Sequence, residues 1–352
     1  MPYLAVNTVT DFFARIDRYD AIIDVRSPAE YAEDHIPGAI NCPVLNDEER
    51  ARVGTLYKQT NPFEAKKVGA ALVAKNIASH IEQRFIDMPR QWKPLIYCWR
   101  GGNRSGAMAH ILSRIGWHAE QLEGGYKKYR RQVIDALDET PAHYTFNVIC
   151  GTTGSGKSRL LQVLAGEGAQ VLDLEQLAAH RGSVLGNIPA EPQPSQKCFE
   201  SHLWDTLRRF DPARTVFVES ESKKVGMLRV PEALMERIRA SQCTAVNLSR
   251  PNRMRLLMED YVHFVRDPLW LNERLSRLTL LHGNDRIAHW HELALSGQME
   301  TLIDELLADH YDPLYERSIH RNFLCAQDAR TLELSGIAEA DFRAAAQKLM
   351  AG

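Results

Sequence analysis

Short apolar runs separated by amphipathic stretches set the rhythm of the first part of the chain. Ala21-Ile22-Ile23-Asp24-Val25 reads as a buried strand, Ala39-Ile40-Asn41-Cys42-Pro43 as a shorter one, and Lys93-Pro94-Leu95-Ile96-Tyr97-Cys98 as a third that runs into a glycine-rich loop. Residues Ser105 to Ile115 carry Met108, Ile111, Leu112 and Ile115 at helical spacing, and Gln59 to Met88 forms a long helical stretch between strands. Strands that alternate with helices predict a mostly parallel sheet covered on both faces. A boundary is expected near Asp138-Glu139-Thr140-Pro141, because a new apolar run, Tyr144 to Cys150, begins directly after it. The same rhythm then repeats, with strands expected at Gln170–Leu174, Thr215–Val218 and Thr244–Leu248. From about Pro251 to Asp309 the pattern turns helical, whereas Ile188 to Ser195 holds three prolines and reads as a loop. The predicted organisation is α/β throughout: residues 1–138, residues 139–250, and a helical C-terminal region over 251–352 packed on the second domain.

Composition narrows the classes. The chain has 352 residues, which favours two domains. Its 43 Lys+Arg against 45 Asp+Glu leave a net charge of −2, so a nucleic-acid partner would have to be met by a local basic face. A hydrophobic fraction of 44% is that of a globular chain with a core. No apolar run reaches the roughly 18–20 residues of a membrane span, and the N-terminus lacks the order of a signal peptide. The cysteines Cys42, Cys98, Cys150, Cys198, Cys243 and Cys325 are scattered and form no CxxC pair. A cytoplasmic protein with reduced thiols is expected.

Two loops carry chemistry. Gly151-Thr152-Thr153-Gly154-Ser155-Gly156-Lys157-Ser158 matches G-x-x-x-x-G-K-[ST] in full, between an apolar strand and a helix with Leu160, Leu161, Val163 and Leu164 on its buried side. Gly151, Gly154, Ser155 and Gly156 let backbone N–H groups curl around phosphate oxygens, and the helix N-terminus adds partial positive charge. Lys157 supplies a cation, and the Ser158 hydroxyl is a ligand for Mg²⁺. Glu219 and Glu221, at the tip of the Thr215–Val218 strand, are candidates for holding the metal's water shell or acting as a base. The second loop, Cys98-Trp99-Arg100-Gly101-Gly102-Asn103-Arg104-Ser105, places a cysteine among loop N–H groups, two arginines and a helix N-terminus. That makes Cys98 a candidate nucleophile, with Arg100, Arg104 and Ser105 as its anion cradle. The other cysteines read as small buried hydrophobes.

Asp24-Val25-Arg26-Ser27-Pro28-Ala29-Glu30-Tyr31, followed by His35-Ile36-Pro37-Gly38-Ala39-Ile40-Asn41, closely resembles the rhodanese-domain signature. Leu122-Glu123-Gly124-Gly125-Tyr126 is similar to the Gly-Gly segment near that domain's end, and the resemblance spans roughly residues 8–135. It implies that Asp24, Arg26 and His35 brace the sheet and its loops. Sulfur-transferring rhodaneses mostly leave four residues between the cysteine and the far side of its loop; here five separate Cys98 from Arg104, as in tyrosine-phosphatase-type enzymes and their rhodanese-fold relatives. A wider ring of donors suits a tetrahedral phosphate-like group.

The fusion to a P-loop domain, with His180-Arg181-Gly182-Ser183 and Glu219-Ser220-Glu221-Ser222, resembles the tRNA 2-selenouridine synthase family over nearly the whole chain. The resemblance implies a tRNA-modifying transferase. Wobble 2-thiouridine would be S-geranylated from geranyl diphosphate and then converted to 2-selenouridine with selenium from selenophosphate. No cofactor is implied as tightly bound, Mg²⁺ apart, and the partners are tRNA and a selenophosphate-producing enzyme, with no membrane. Tyr126-Lys127-Lys128-Tyr129-Arg130-Arg131, with Arg250, Arg253 and Arg255, forms a candidate tRNA face, against the plainer reading of a solvated surface. His282 and Trp290 read as packing. Two rival readings stay open: a small-molecule C-x₅-R phosphatase or sulfurtransferase fused to a P-loop kinase, and a non-enzymatic scaffold.

Overall fold

The computed structural model describes residues 7–9, 11–59, 61–183, 185–186, 188, 191–323 and 326–351; Cys325 and part of the 188–195 loop lie outside the described residues. The chain divides into two compact units, one of residues 1–136 with 200–205, the other of 137–199 with 206–352.

The first unit is built on a five-stranded sheet of β1 (Asn7–Val9), β2 (Ala21–Asp24), β3 (Ile40–Asn41), β4 (Pro94–Tyr97) and β5 (Glu120–Leu122). Its order is β1-β5-β4-β2-β3, and every pairing is parallel. β4 is therefore central, and all four of its residues are buried, as a run apolar on both faces requires. Ile23, Ile96, Met108 and Leu112 lie within one core cluster with Ile111 packed against it, so helix Asn103–Ile115 turns most of its predicted face inward; Ile115, in its last turn, is exposed instead. The stretch expected as helical from Gln59 to Met88 is helical from Pro62 through Phe85, and a separate helix that was not expected precedes it. Helix Asp47–Gln59 ends, and a new helix, Pro62–His80, starts with the Asn61 side chain accepting from Phe63 N–H and Pro62 in its first turn. An N-cap followed by proline begins a helix and cannot continue one. The strand β5 was not foreseen, since Glu120 and Gln121 hide its pattern.

The second unit repeats the plan. β6 (Phe146–Cys150), β7 (Gln170–Leu172), β8 (Val216–Glu219), β11 (Gln242–Asn247) and β12 (Arg330–Glu333) form a parallel sheet of order β12-β11-β6-β8-β7. A small antiparallel ladder, β9 (Lys224–Val225) with β10 (Leu228–Arg229), stands apart. Here too the motif-bearing strand, β6, is central. The C-terminal region is mostly helical, as expected, but not wholly: β12 extends the sheet, and helix Glu339–Met350 packs Phe342, Ala345 and Leu349 against Leu160, Leu161 and Leu164 of helix Lys157–Gly166. Burial of such side chains contributes roughly 1.5–3 kcal/mol each. Helices between residues 262 and 306 form a separate apolar cluster around Trp290, Leu275 and Leu302. Trp290 is fully buried and donates its indole N–H to Glu305 at 3.0 Å, and His282 packs against its ring, so both residues serve packing. Among the described residues no helix is long and apolar enough to cross a membrane.

Candidate functional site

The loop after β4 places Cys98 at the carboxyl end of the central strand, where open α/β sheets present ligand sites. Cys98 is only 2% exposed, while Trp99 and Arg100 stand out at the rim. Ser105, also buried, donates its hydroxyl to Cys98 Sγ at 3.2 Å. Gln121 on β5 donates its Nε2 to the Gly102 carbonyl and to Ser105 Oγ, both at 2.9 Å. A carbonyl only accepts, so the amide must face this way, and the one hydroxyl proton of Ser105 serves Cys98 Sγ or the Gly102 carbonyl, 3.4 Å away. No local pattern marks Gln121, because nothing in the sequence ties a strand glutamine to a loop before it.

The Gly-Gly segment has a mechanical role. Tyr126 and Lys127 donate their N–H groups to the carbonyls of Cys98 and Trp99 at 2.8 and 3.0 Å. Gly125 lies so close beneath them, with φ +57°, that a Cβ there would collide with the Cys98 carbonyl oxygen. Asp24 and Arg26 form a buried ion pair at 2.6 Å, Arg26 also donates to the Asp34 carbonyl, and its guanidinium lies 4.0 Å from the Tyr126 ring centroid. His35 stacks on Tyr31. These residues brace the loop's surroundings and do not reach Cys98. Arg104 acquires a partner that the sequence did not suggest: Glu30 receives it at 2.8 and 3.2 Å. Burial works to raise the Glu30 carboxyl, but the hydrogen bonds and charge of Arg104 outweigh it, so Glu30 titrates below its ordinary range.

The loop after β6 has different surroundings. Lys157 Nζ turns back to the carbonyls of Gly151 and Thr152 at 2.6 and 3.3 Å, and Gly151 N–H donates to the Tyr315 hydroxyl at 2.5 Å. Ser158 donates to Glu175 Oε2 at 3.0 Å, and Glu219 Oε1 accepts from the Glu175 N–H at 2.8 Å. Glu219 is buried as the last residue of β8, beside Ile149 of β6. Gly182, of the His180–Ser183 stretch, comes so near that a Cβ would lie 2.6 Å from Glu221 Oε1 and 2.9 Å from Glu175 Oε1. Asp173, Glu175, Glu219 and Glu221 thus crowd one wall. Burial, then mutual repulsion, pushes Glu219 far up, and burial with the neighbouring Glu175 pushes Glu221 up to about 8. Burial also lowers the Lys157 amine against the pull of Glu175 and Glu221.

A cleft of about 570 Å³ opens over this loop, lined by Lys157, Arg181 and Glu221 among others. Carboxylates and the Ser158 hydroxyl are hard oxygen donors of the kind Mg²⁺ takes. Among the described residues no three His, Cys, Asp or Glu are arranged to grip an ion, so phosphate oxygens and water would complete its coordination.

The expected tRNA face is placed unevenly. Tyr126 and Tyr129 are buried and offer no ring to a base. Lys127 is exposed, Lys128 pairs with Glu123, Arg131 with Asp135, and Arg130 with Glu200. Arg250 pairs with Asp304, and Arg255 is exposed. Arg253 departs from the expectation: it is 7% exposed, bonds Asp312 through both terminal nitrogens and donates to the Thr153 carbonyl at 2.9 Å. It is a brace for the phosphate loop, since a clamp for tRNA phosphate needs an exposed head. Of the other cysteines, Cys42, Cys150 and Cys243 are buried and Cys198 half-buried.

The family model described as the tRNA 2-selenouridine synthase AAA domain matches residues 144–275, and that of the rhodanese-like domain matches residues 8–132. A tRNA 2-selenouridine synthase of Nitrosomonas europaea is 38% identical over 68% of this chain and 63% of its own length. One from Marinobacter nauticus is 33% identical over 84% of this chain and 87% of its own, and one from a Sulfurovum species 30% over 89% and 92%. The chain thus spans under two thirds of the Nitrosomonas relative and most of the other two.

Proposed function

The chain belongs to the tRNA 2-selenouridine synthase family, and from that premise we propose that it is a tRNA-modifying transferase that turns wobble 2-thiouridine into 2-selenouridine. The observation that carries this reading is the pairing, in one chain, of a P-loop cleft with a buried cysteine in a C-x₅-R loop. In the first reaction the thiouridine sulfur attacks the first carbon of geranyl diphosphate. The carbon–oxygen bond breaks and diphosphate leaves. The P-loop amides, Lys157 and Arg181 hold the diphosphate, which is where charge develops. Glu221, whose carboxyl is raised to about 8, is the candidate base for the proton that the thiouridine gives up, acting in its ionised form, whose share grows as pH approaches 8. Mg²⁺, bound through Ser158 and a carboxylate, would neutralise phosphate charge.

In the second reaction the selenium of selenophosphate attacks the base carbon that carries the geranylthio group; the carbon–sulfur bond breaks and geranylthiol leaves, and water then cleaves the selenium–phosphorus bond and releases phosphate. Cys98 handles selenium, with Ser105 as the hydrogen-bond donor to its sulfur and Arg100 at the rim for the phosphate-like group. Exposed Lys127, Arg131 and Arg255, with Lys128, Arg130 and Arg250, are the cations proposed to meet tRNA. A phosphatase fused to a kinase is disfavoured: a phosphatase needs an acid for its leaving group, and Glu30, bound to Arg104 of the loop, is held ionised. Mass spectrometry of tRNA nucleosides tests the proposal. Incubation of thiolated tRNA with geranyl diphosphate should yield the geranylated nucleoside, and added selenophosphate should yield 2-selenouridine. Absence of both products overturns it.

A further inference from the structure

Gln121 stands half-buried on β5, between β1 and β4, and its amide reaches the loop and helix that follow Cys98. The hydrogen bonds there can be counted proton by proton. Gln121 Nε2 has two protons; one goes to the Gly102 carbonyl and the other to Ser105 Oγ, both at 2.9 Å. The Gly102 carbonyl has two lone pairs, and the Gly106 N–H, at 2.6 Å, takes the second. The Ser105 hydroxyl then has one proton and two places for it: Cys98 Sγ at 3.2 Å, and a Gly102 oxygen at 3.4 Å whose lone pairs are both engaged. The loop is shaped to admit the amide. A Cβ on Gly102 would lie 2.5 Å from Gln121 Nε2, and one on Gly106 would lie 3.4 Å from Gln121 Oε1.

We propose that Gln121 is a positioning residue for Cys98: by filling the Gly102 carbonyl and one lone pair of Ser105, it commits the Ser105 proton to the sulfur. Gln121 does not touch Cys98 and acts through Ser105. The thiol's own proton has the Arg100 carbonyl, 3.8 Å away, as its acceptor. Once that proton is lost, the sulfur is the anion that attacks, and a hydroxyl aimed at it holds the charge. An amide that donates to this hydroxyl polarises it and makes it the better donor to an anion. Without the amide, the Gly102 oxygen regains a lone pair and competes for the same proton. Changes at Gln121 thus reach the sulfur only through the Ser105 hydroxyl. The consequence for selenium transfer rests on the reading of Cys98 given above.

Alkylation of the full chain by iodoacetamide near neutral pH, in which the thiolate displaces iodide, tests this when followed at the Cys98 peptide by mass spectrometry. Gln121→Met keeps the length of the side chain and removes both donors. It should slow alkylation of Cys98 about fivefold, and Ser105→Ala should slow it about tenfold or more, as expected for a hydrogen bond to a charged group and its support. The double variant should be no slower than Ser105→Ala, since no hydroxyl is left to direct; a packing role would slow it by the Gln121→Met factor again. Gln121→Glu fills the same space and only accepts, so it draws the Ser105 proton to itself and should slow alkylation at least as much as Gln121→Met. It takes the place of the methionine variant if thermal denaturation shows that one unfolded. Formation of 2-selenouridine should fall with the alkylation rate. The proposal is overturned if a folded Gln121 variant is alkylated as fast as the unaltered chain, or if the Gln121 and Ser105 effects multiply in the double variant. Failure of the underlying reading looks different: slower alkylation with selenation unchanged upholds the positioning and removes Cys98 from selenium transfer.

Discussion

The Cys98 loop and the P-loop are the same backbone device in opposite electrostatic settings. Each follows the central strand of a five-stranded parallel sheet, and each leads into a helix through glycines. Around Cys98 the hydrogen-bonding side chains are neutral, Ser105 and behind it Gln121, and Arg104 of the same loop pairs with Glu30. Around Lys157 four carboxyl groups gather, two of them with strongly raised titration. The difference teaches that one strand–loop–helix turn can stand among very different side chains, and that those are brought to it from elsewhere in the fold.

The strongest test of that contrast separates the two reactions. Cys98→Ser keeps the hydrogen bonding of the loop but removes the soft nucleophile, so 2-selenouridine should fall by at least about 1,000-fold while the geranylated nucleoside still forms. Nucleoside mass spectrometry reads both products, and an unchanged selenium yield would remove Cys98 from the mechanism. Next in size is Gly125→Ala. Its Cβ meets the Cys98 carbonyl, and the loop has to shift, at an expected cost of about 3 kcal/mol or more. Gly38→Ala, at φ +78° with open space around it, carries only the backbone strain and should cost about 1 kcal/mol. Thermal denaturation of the two variants should rank them in that order.

On the other loop, Lys157→Ala should weaken geranyl diphosphate binding roughly 10- to 100-fold, as expected for loss of a charge-assisted contact. Equal affinity of the two proteins would dismiss its role. Glu221 supplies a pH signature at the P-loop. Its carboxyl is raised from 4.5 to about 8 in the folded chain, so the folded state binds more protons between those values. Its stabilising contribution is therefore complete below pH 4.5 and is lost as pH rises through 8. Diphosphate binding should weaken over the upper end of that window, as a new negative charge appears beside the phosphates. Glu221→Gln should flatten both curves and stabilise the chain at pH 8 by about 2 kcal/mol. Glu30 has the opposite sign: its depressed titration gives stability above its ordinary range that is lost as pH falls. The smallest effect concerns tRNA. Lys127→Ala with Lys128→Ala should flatten the salt dependence of tRNA affinity by roughly one to two units of slope and leave pyrophosphate binding alone. One slope and one midpoint for both proteins would place the tRNA face elsewhere.

The sequence by itself determined the strand–loop–helix turns, because their geometry is set within about ten residues by apolar runs, glycines and caps. Cys98, Gly151 to Ser158, the helix from Asn103 and the central strands were legible for that reason. It also determined the family, since the Asp24–Tyr31, Cys98–Ser105 and Gly151–Ser158 segments stand in order along one chain. What tertiary structure decided is everything that crosses between elements. Gln121 reaches Ser105 because β5 lies beside β4 in the sheet. Glu175 and Glu219 meet because β7 and β8 are neighbours, and Arg253 is drawn inward by Asp312, 59 residues away. Such contacts depend on strand order and helix packing, which local pattern does not encode: an arginine or glutamate looks the same in sequence whether the fold leaves it in water or turns it against a partner.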